Sequence, residues 1–304
     1  MAKEKIWMNG RYLDSALGVV DVSTAALHYG TSIFEGILCM GGRLGNSKAI
    51  FRLGEHLDRM FASAEVLNYK IAFSKEDIKA AIGGLVKVNR YQAAYIRPVI
   101  FEDTSYLDFS RAINKLNFVI LARNINSTIY RWKMRSPVKV MISKTVSNSW
   151  PEILTKAKIS GKYLNSIVAK REARNRGFDD ALLLDSRGYV SEATSANLFM
   201  IKDGLIRTPY RKNTLNGVTQ NSIMRIAQDL GYTVREENIR EEDLLAADEI
   251  FLTNTASGVI SVSRIEAKKI PPCGSQGLVK YLRSKYIDII TGKNLKYQEW
   301  LSFI

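Results

Sequence analysis

Two short apolar runs, AAYIRPVIF (93–101) and LNFVILA (116–122), constrain this chain more than any other feature. Each is too short for a core helix and rich in β-branched and aromatic residues, so both read as buried strands. Pro98 has no backbone N–H, which predicts that the first strand lies at a sheet edge or carries a bulge. Around these runs the periodicity keeps changing. IWMNG (6–10) reads as a strand ended by an Asn-Gly turn, with Arg11 to Leu13 returning. From Glu55, Leu57, Met60, Phe61, Ala64 and Leu67 follow helical spacing, and Ile78, Ala81, Ile82 and Leu85 mark a second helix over about 75–89.

The polar, irregular stretch RNINSTIYRWKMRS (123–136) interrupts this pattern. Beyond it come a strand at 138–143 and a helix from about Ser160 to Arg176, stopped by Gly177. Short strands are predicted at 181–185, 189–192, 197–201 and 249–254. Helices are predicted over about Thr219 to Leu230, closed by Gly231, and over roughly 275–290. The regular βαβ period of a doubly wound sheet is missing. The expected class is therefore α/β of the mixed α+β kind, with domains at 1–122 and 137–304 joined by an interdomain loop at 123–136.

At 304 residues, 46% hydrophobic and 24% charged, the composition is that of a globular protein. No run approaches the ~18 apolar residues needed to cross a bilayer. MAKEKIWMNGRYLD has no apolar h-region, so no signal peptide is expected. Cys39 and Cys273 lie far apart and suit a reducing, cytoplasmic compartment, and no spacing suggests a metal site. The net charge of +14 concentrates at Arg131–Lys144 and Lys156–Arg176. A solvated basic face, nucleic-acid binding and attraction of anionic small molecules all fit that charge; no nucleic-acid-binding motif accompanies it.

Several segments carry chemical potential beside a plainer reading. RKNTLNGVT (211–219) leads into a helix, where Gly217 lets backbone approach an anion and the dipole adds roughly 0.3–1 kcal/mol for negative charge. An ordinary Asn-Gly turn capped by Thr219 would look the same. KAKISGKY (156–163) places three lysines before a helix, as a solvated basic turn also would. Glu192 follows the Arg187-Gly188 turn, where a surface glutamate is the default. Arg59 lies on a helix whose apolar face is elsewhere, so the plain expectation is exposure to solvent. Arg97 interrupts an apolar strand and calls for an anionic partner. HYGTSIFEG (28–36) has the aromatic residues and glycines of a pocket wall, or of a turn beside the core. Neither His28 nor His56 has a triad partner.

In order along the chain, these segments resemble the class IV, fold-type IV aminotransferases that use pyridoxal 5'-phosphate (PLP), and most closely the branched-chain amino acid aminotransferases. The resemblance rests on ALHYGTSIFEGI (26–37), FRLGEHLDRM (51–60), AYIRPVIF (94–101), AKISGKYL (157–164), GYVSEATSANLF (188–199), LNGVTQNSI (215–223) and TNTASGVISV (253–262). It implies a smaller N-terminal α/β domain and a larger C-terminal pseudo-barrel domain, with the cofactor between them, in a homodimer or an assembly of dimers. Lys158 matches the Schiff-base lysine, preceding the family's tyrosine, Tyr163, by five residues (163 − 158) and its glutamate, Glu192, by thirty-four (192 − 158). Glu192 would face the pyridine nitrogen, and Tyr163 the ring oxygen. Arg59, Gly217, Val218, Thr219 and Thr255 would bind the phosphate. Tyr29, Phe34, Gly36, Tyr95, Arg97 and Ala256 match substrate positions, with Thr255-Ala256 receiving the substrate carboxylate.

The implied reaction passes an amino group from a branched-chain L-amino acid to 2-oxoglutarate, giving a 2-oxo acid and L-glutamate. Departures from the family pattern cluster near the substrate. Leu38 replaces an arginine, Lys162 an asparagine, Gln220 an arginine and Gly258 a glutamate, while the loop at 102–112 lacks a glycine-rich sequence. A specialised class IV aminotransferase for another amino compound is therefore the main alternative. D-amino-acid aminotransferase and aminodeoxychorismate lyase match the blocks less well. A non-catalytic PLP-binding protein and a basic nucleic-acid-binding protein are the readings from other classes.

Overall fold

The computed structural model describes residues 4–41, 48–103, 115–125, 132, 136–270 and 277–304. Residues 104–112 of the loop noted above, 126–131 and 133–135 of the expected interdomain loop, and Cys273 lie outside the described residues. Contacts divide the chain into two units. The first holds Met1–Ser127 together with Ala157–Lys162 and Ile289–Ile304; the second holds Thr128–Lys156 and Tyr163–Asp288.

The first unit contains β1 (Lys5–Met8), β2 (Arg11–Asp14), α1 (Ala25–Tyr29), β3 (Ile33–Phe34), β4 (Ile37–Gly41), β5 (Lys48–Phe51), α2 (Leu53–Val66), α3 (Lys75–Val88), β6 (Ala94–Glu102) and β7 (Leu116–Asn124). Its sheet runs from the C-terminal strand Leu301–Phe303 through β5, β4, β6, β7 and β1 to β2, with β3 also on β6. The Asn9-Gly10 turn joining β1 and β2 takes positive φ at both positions, 49° and 92°, the twist a two-residue hairpin requires. The helical faces lie as their spacing predicts: Leu57, Met60, Ile78, Ile82 and Leu85 are fully buried. Ser74 and Asp77 form a reciprocal cap at the start of α3.

The edge position predicted from Pro98 is corrected by the sheet order, because β6 is an interior strand. Pro98 O accepts the Glu35 N–H at 3.0 Å. A residue's N and O face the same side of an extended strand. The absent N–H is therefore turned toward Glu35-Gly36, where the neighbouring strand breaks between β3 and β4, and no ladder bond is forfeited.

Residues 157–162 join this unit as an extended return along residues 30–34. Phe34 N–H donates to Lys158 O at 3.1 Å, Ser160 N–H to Ser32 O at 2.8 Å, and Gly161 N–H to Gly30 O at 2.8 Å. Two glycines permit the approach, since a Cβ on Gly30 would lie 2.7 Å from Gly161 Cα. For this reason the α-helix predicted from Ser160 begins at Tyr163, after a 3-10 turn over Ser160–Lys162.

The second unit contains β8 (Val138–Ser147), α4 (Glu152–Lys156), α5 (Tyr163–Asn175), β9 (Asp180–Leu184), β10 (Val190–Ala193), β11 (Ala196–Lys202), β12 (Leu205–Pro209), α6 (Val218–Asp229), β13 (Val234–Glu237), α7 (Glu241–Leu245), β14 (Glu249–Asn254), β15 (Gly258–Ile265), β16 (Lys268–Lys269) and α8 (Leu278–Ile290). Strands follow the order β10-β9-β8-β15-β14-β11, and β10 pairs again with β11, closing a six-stranded ring. Ring closure removes exposed edges and leaves one apolar core, in which Val140, Ile142, Leu182, Leu198, Ile250, Leu252 and Ile260 pack. β12 and β13 extend the sheet beyond β11. Gly177 and Gly231 end their helices at φ of 78° and 86°, as their positions in the sequence predicted.

Candidate active site

In the first unit the chemistry gathers around Lys158. Its backbone N–H donates to Ser63 Oγ at 3.0 Å, and its amine lies 5.0 Å from the centre of the Phe34 ring. Burial holds the amine down to about 8, helped by the positive charges of Arg59 and Arg97 against the opposing pull of Glu35 and Tyr95.

Arg59 does not face solvent as its helix position suggested; its side chain is 12% exposed. Nε and Nη2 grip Glu35 at 2.6 and 2.8 Å. Glu35 has no exposed surface and also accepts from His56 Nδ1 at 2.8 Å and from the Gly36 N–H at 3.2 Å. Burial would raise this carboxyl, but the Arg59 charge and the His56 and Arg59 hydrogen bonds outweigh it, so the group lies well below the usual carboxylate range. His56 is lowered as well, by burial first and then by the Arg59 and Lys158 charges against the pull of Glu35, and it donates to Glu35 as a neutral imidazole. His56, Arg59 and Ser63 repeat at helical spacing along α2, a polar stripe beside its apolar face.

Strand alternation sets Tyr95 and Arg97 on one face of β6. Arg97 stacks 4.5 Å over Phe34 and donates from Nη2 to Tyr95 OH at 2.9 Å, while its buried Nε has no partner among the described residues. Gly36 makes the arrangement possible, because a Cβ there would lie 2.1 Å from Tyr95 OH. Tyr29, at the end of α1, is 43% exposed. Lys162 Nζ donates to Ala157 O at 3.1 Å, and Leu38 is packed in the sheet core.

The second unit presents a carboxylate and a helix start whose N-cap, Gly217, has no side chain. Glu192 on β10 accepts from Asn148 Nδ2 at 3.0 Å, from the Leu215 N–H at 3.4 Å and more weakly from Asn197 Nδ2 at 3.5 Å. Asn197 lies opposite Glu192 on one side and Thr253 on the other. No side chain caps α6, whose first turn carries Val218 and Thr219 behind Gly217. A Cβ on Gly217 would meet Asn197 Oδ1 at 2.0 Å, so this helix start admits no side chain. Gln220, where the family has arginine, is buried and donates to Thr208 Oγ1 at 3.1 Å. Tyr163 opens α5, and Thr255 and Ala256 form the turn between β14 and β15.

Residues 32–265 match the family model for amino-transferase class IV. The chain belongs to that family. It is 33% identical to a branched-chain-amino-acid aminotransferase of Pseudomonas aeruginosa over 98% of this chain and 97% of the relative. Among solved structures it is similar to the branched-chain amino acid aminotransferase of Escherichia coli, with 31% identity and a TM-score of 0.90, over 99% of this chain and 98% of that one. A branched-chain aminotransferase of Thermoproteus uzoniensis with norvaline matches at 29% identity and a TM-score of 0.91, over 98% of both. The mixed sheets and the closed ring are the class IV aminotransferase, fold-type IV architecture.

Sequence reasoning passed over Glu35, Asn148, Asn197 and Trp132. Glu35 stood inside a quoted block, and His56 with Arg59 one helical turn apart was the available signal for a buried partner. No local signal marks Asn148, which reaches Glu192 through a tertiary contact, or Trp132.

Proposed function

We propose that this protein is a PLP-dependent aminotransferase that exchanges the amino group of a branched-chain L-amino acid with 2-oxoglutarate, forming a 2-oxo acid and L-glutamate. The observation that carries the reading is Lys158, a buried amine held down to about 8 by its surroundings. A lysine so placed offers free base both to a carbonyl and to a proton. Glu192 within a set of donors, and the side-chain-free start of α6 at Gly217, supply the carboxylate and the anion cradle that a phosphorylated pyridine aldehyde needs. When bound, PLP supplies the carbonyl that captures an amine and the ring that withdraws electrons from the substrate Cα.

The chain's own residues do the rest. Lys158 would hold the cofactor through its Nζ and, as a free amine, would carry the substrate Cα proton on the same Nζ, help of a kind typically worth about 10²–10⁴-fold. Glu192, which accepts from Asn148 Nδ2 and the Leu215 N–H, would be the carboxylate partner of the pyridine nitrogen. Tyr163 serves the ring oxygen. For phosphate, Arg59, aimed by Glu35, offers a guanidinium in the first unit, and Gly217, Val218, Thr219 and Thr255 offer donors in the second. The Thr255-Ala256 turn takes the substrate carboxylate, and in the first unit Tyr95 and Gly36 serve as substrate-pocket residues. Arg97, its Nε unpartnered among the described residues, takes the distal carboxylate of glutamate. Phe34 and Tyr29 accommodate an aliphatic side chain.

A homodimer in the cytoplasm completes the proposal. Leu17, Val19, Val22 and Leu27 are each at least 65% exposed along one short segment, apolar surface that suits a second copy. Cys39 is a buried thiol that burial pushes up to about 12, which keeps it protonated and suits a reducing compartment. Among the described residues no helix is long and apolar enough to cross a membrane.

Incubating the purified protein and PLP with 2-oxoglutarate and each of L-leucine, L-valine and L-isoleucine tests the assignment. The expected products are the matching 2-oxo acids and L-glutamate in equal amounts. Turnover with a different amine alone would transfer the assignment to a specialised donor, and no turnover with any amine would overturn it.

A further inference from the structure

The turn after β14 is gripped from two sides in a way the catalytic assignment leaves unused. Its Ala256–Ser257 peptide plane donates through the Ser257 N–H to Asn254 Oδ1 at 2.7 Å and accepts through Ala256 O from Trp132 Nε1 at 3.2 Å. Asn254 is itself anchored, its Nδ2 donating to Ser195 O at 3.2 Å. Trp132 is 4% exposed and stacks on the fully buried Tyr286, with ring centres 6.2 Å apart and planes at 24°.

The ring also covers Gly258, the position where the family commonly has glutamate. A Cβ there would lie 2.9 Å from Trp132 Cε3 and 3.0 Å from Cζ3, and the backbone is at φ +64°. Any residue larger than glycine would be strained by its backbone and would displace the indole. Gly258 and Trp132 thus act as one unit: the missing side chain makes room for the ring, and the ring supplies the hydrogen bond that holds the turn.

We propose that Trp132 is a positioning residue for substrate carboxylate recognition, fixing the Thr255-Ala256 turn through Ala256 O while Gly258 admits its ring. The proposal rests on the reading that this turn receives the substrate carboxylate. With the Ala256–Ser257 plane clamped at both its N–H and its carbonyl, the adjoining Ala256 N–H keeps one direction, and a carboxylate meets a donor already aligned. The cofactor contacts assigned to Glu192, Tyr163 and the start of α6 do not depend on this clamp.

The test titrates holoenzyme with 4-methylpentanoate, a carboxylate carrying leucine's side chain without the amine, and follows the cofactor's absorption. Affinity for PLP is measured separately by reconstitution of the apoprotein. Trp132→Phe keeps the stack and removes the N–H. It is expected to weaken 4-methylpentanoate about five- to ten-fold, the size of one neutral hydrogen bond, with PLP affinity unchanged. KM for L-leucine and for 2-oxoglutarate, which share the carboxylate, should rise together while kcat stays within about two-fold. Gly258→Ala, which pushes on the ring from below, should weaken the carboxylate in the same direction. Unchanged carboxylate affinity in both variants, or an equal loss of PLP affinity, overturns the role of Trp132 and leaves the aminotransferase reading standing. Failure of wild-type holoenzyme to bind the carboxylate at all overturns the reading of the turn, and this proposal with it.

Discussion

Arg59 and Glu35 face each other as a buried two-pronged pair, Nε to Oε1 at 2.6 Å and Nη2 to Oε2 at 2.8 Å. Two of the guanidinium nitrogens are thereby committed to orienting the group. Glu35→Gln places an amide against those donors and leaves Arg59 buried without a counter-charge. Loss of roughly 3–5 kcal/mol of stability is expected, together with weaker PLP binding. Glu35→Asp should recover part of both. Chemical denaturation and apoprotein reconstitution measure the two effects, and wild-type PLP affinity in Glu35→Gln would dismiss the orienting role.

Acid should act through the same cluster. Glu35 lies well below its ordinary value and His56 below its own, so the unfolded chain binds more protons at both sites as pH falls. Their contribution is fully present above the ordinary values, 6.5 for His56 and 4.5 for Glu35, and is lost below them. Thermal midpoints should therefore decline below pH 6.5 through His56 and further below pH 4.5 through Glu35, and the part below pH 4.5 should be shallower in Glu35→Gln. Parallel curves for the two proteins would remove Glu35 as the cause.

Gly36→Ala introduces a methyl group that would lie 2.1 Å from Tyr95 OH. Tyr95 must move, and the Arg97 Nη2 bond to its hydroxyl goes with it. KM for 2-oxoglutarate should rise roughly five- to ten-fold, the equivalent of about one hydrogen bond, while the fold survives. Steady-state kinetics beside circular dichroism separates the local effect from unfolding.

Arg97 stacked on Phe34, with Nε unpartnered among the described residues, makes the chemical case for a second carboxylate in the substrate. Arg97→Met should lower kcat/KM for 2-oxoglutarate and glutamate roughly 10- to 100-fold, the value of a hydrogen bond to a charged group. L-leucine should lose far less. Equal losses for both substrates would assign Arg97 to the pocket's general structure instead.

Lys158, Tyr163 and Glu192 could be proposed from the sequence because PLP chemistry demands those residue types and their blocks follow one another in a fixed order. The helical faces of α2 and α3 and the Asn9-Gly10 hairpin were legible because spacing and turn chemistry are local. What escaped was non-local. Glu35 looks like any glutamate until residue 59, twenty-four positions on (59 − 35), closes over it. Residues 157–162 read as the start of a helix, and their pairing with residues 30–34 moves that start to Tyr163. Pro98 argued for an edge, and the break between β3 and β4 lets it stand inside the sheet. β12 and β13 pair in parallel through LIRTP and VREE, segments too short and too polar to announce themselves.

The most direct test of the central claim is the absorption spectrum of the protein with PLP, wild type against Lys158→Ala, before and after L-leucine. Wild type should show a visible cofactor band that L-leucine bleaches and 2-oxoglutarate restores, and Lys158→Ala should lack the covalent band. A band of wild-type strength in Lys158→Ala, which would point to Lys162, or a wild-type band indifferent to L-leucine, would contradict the account.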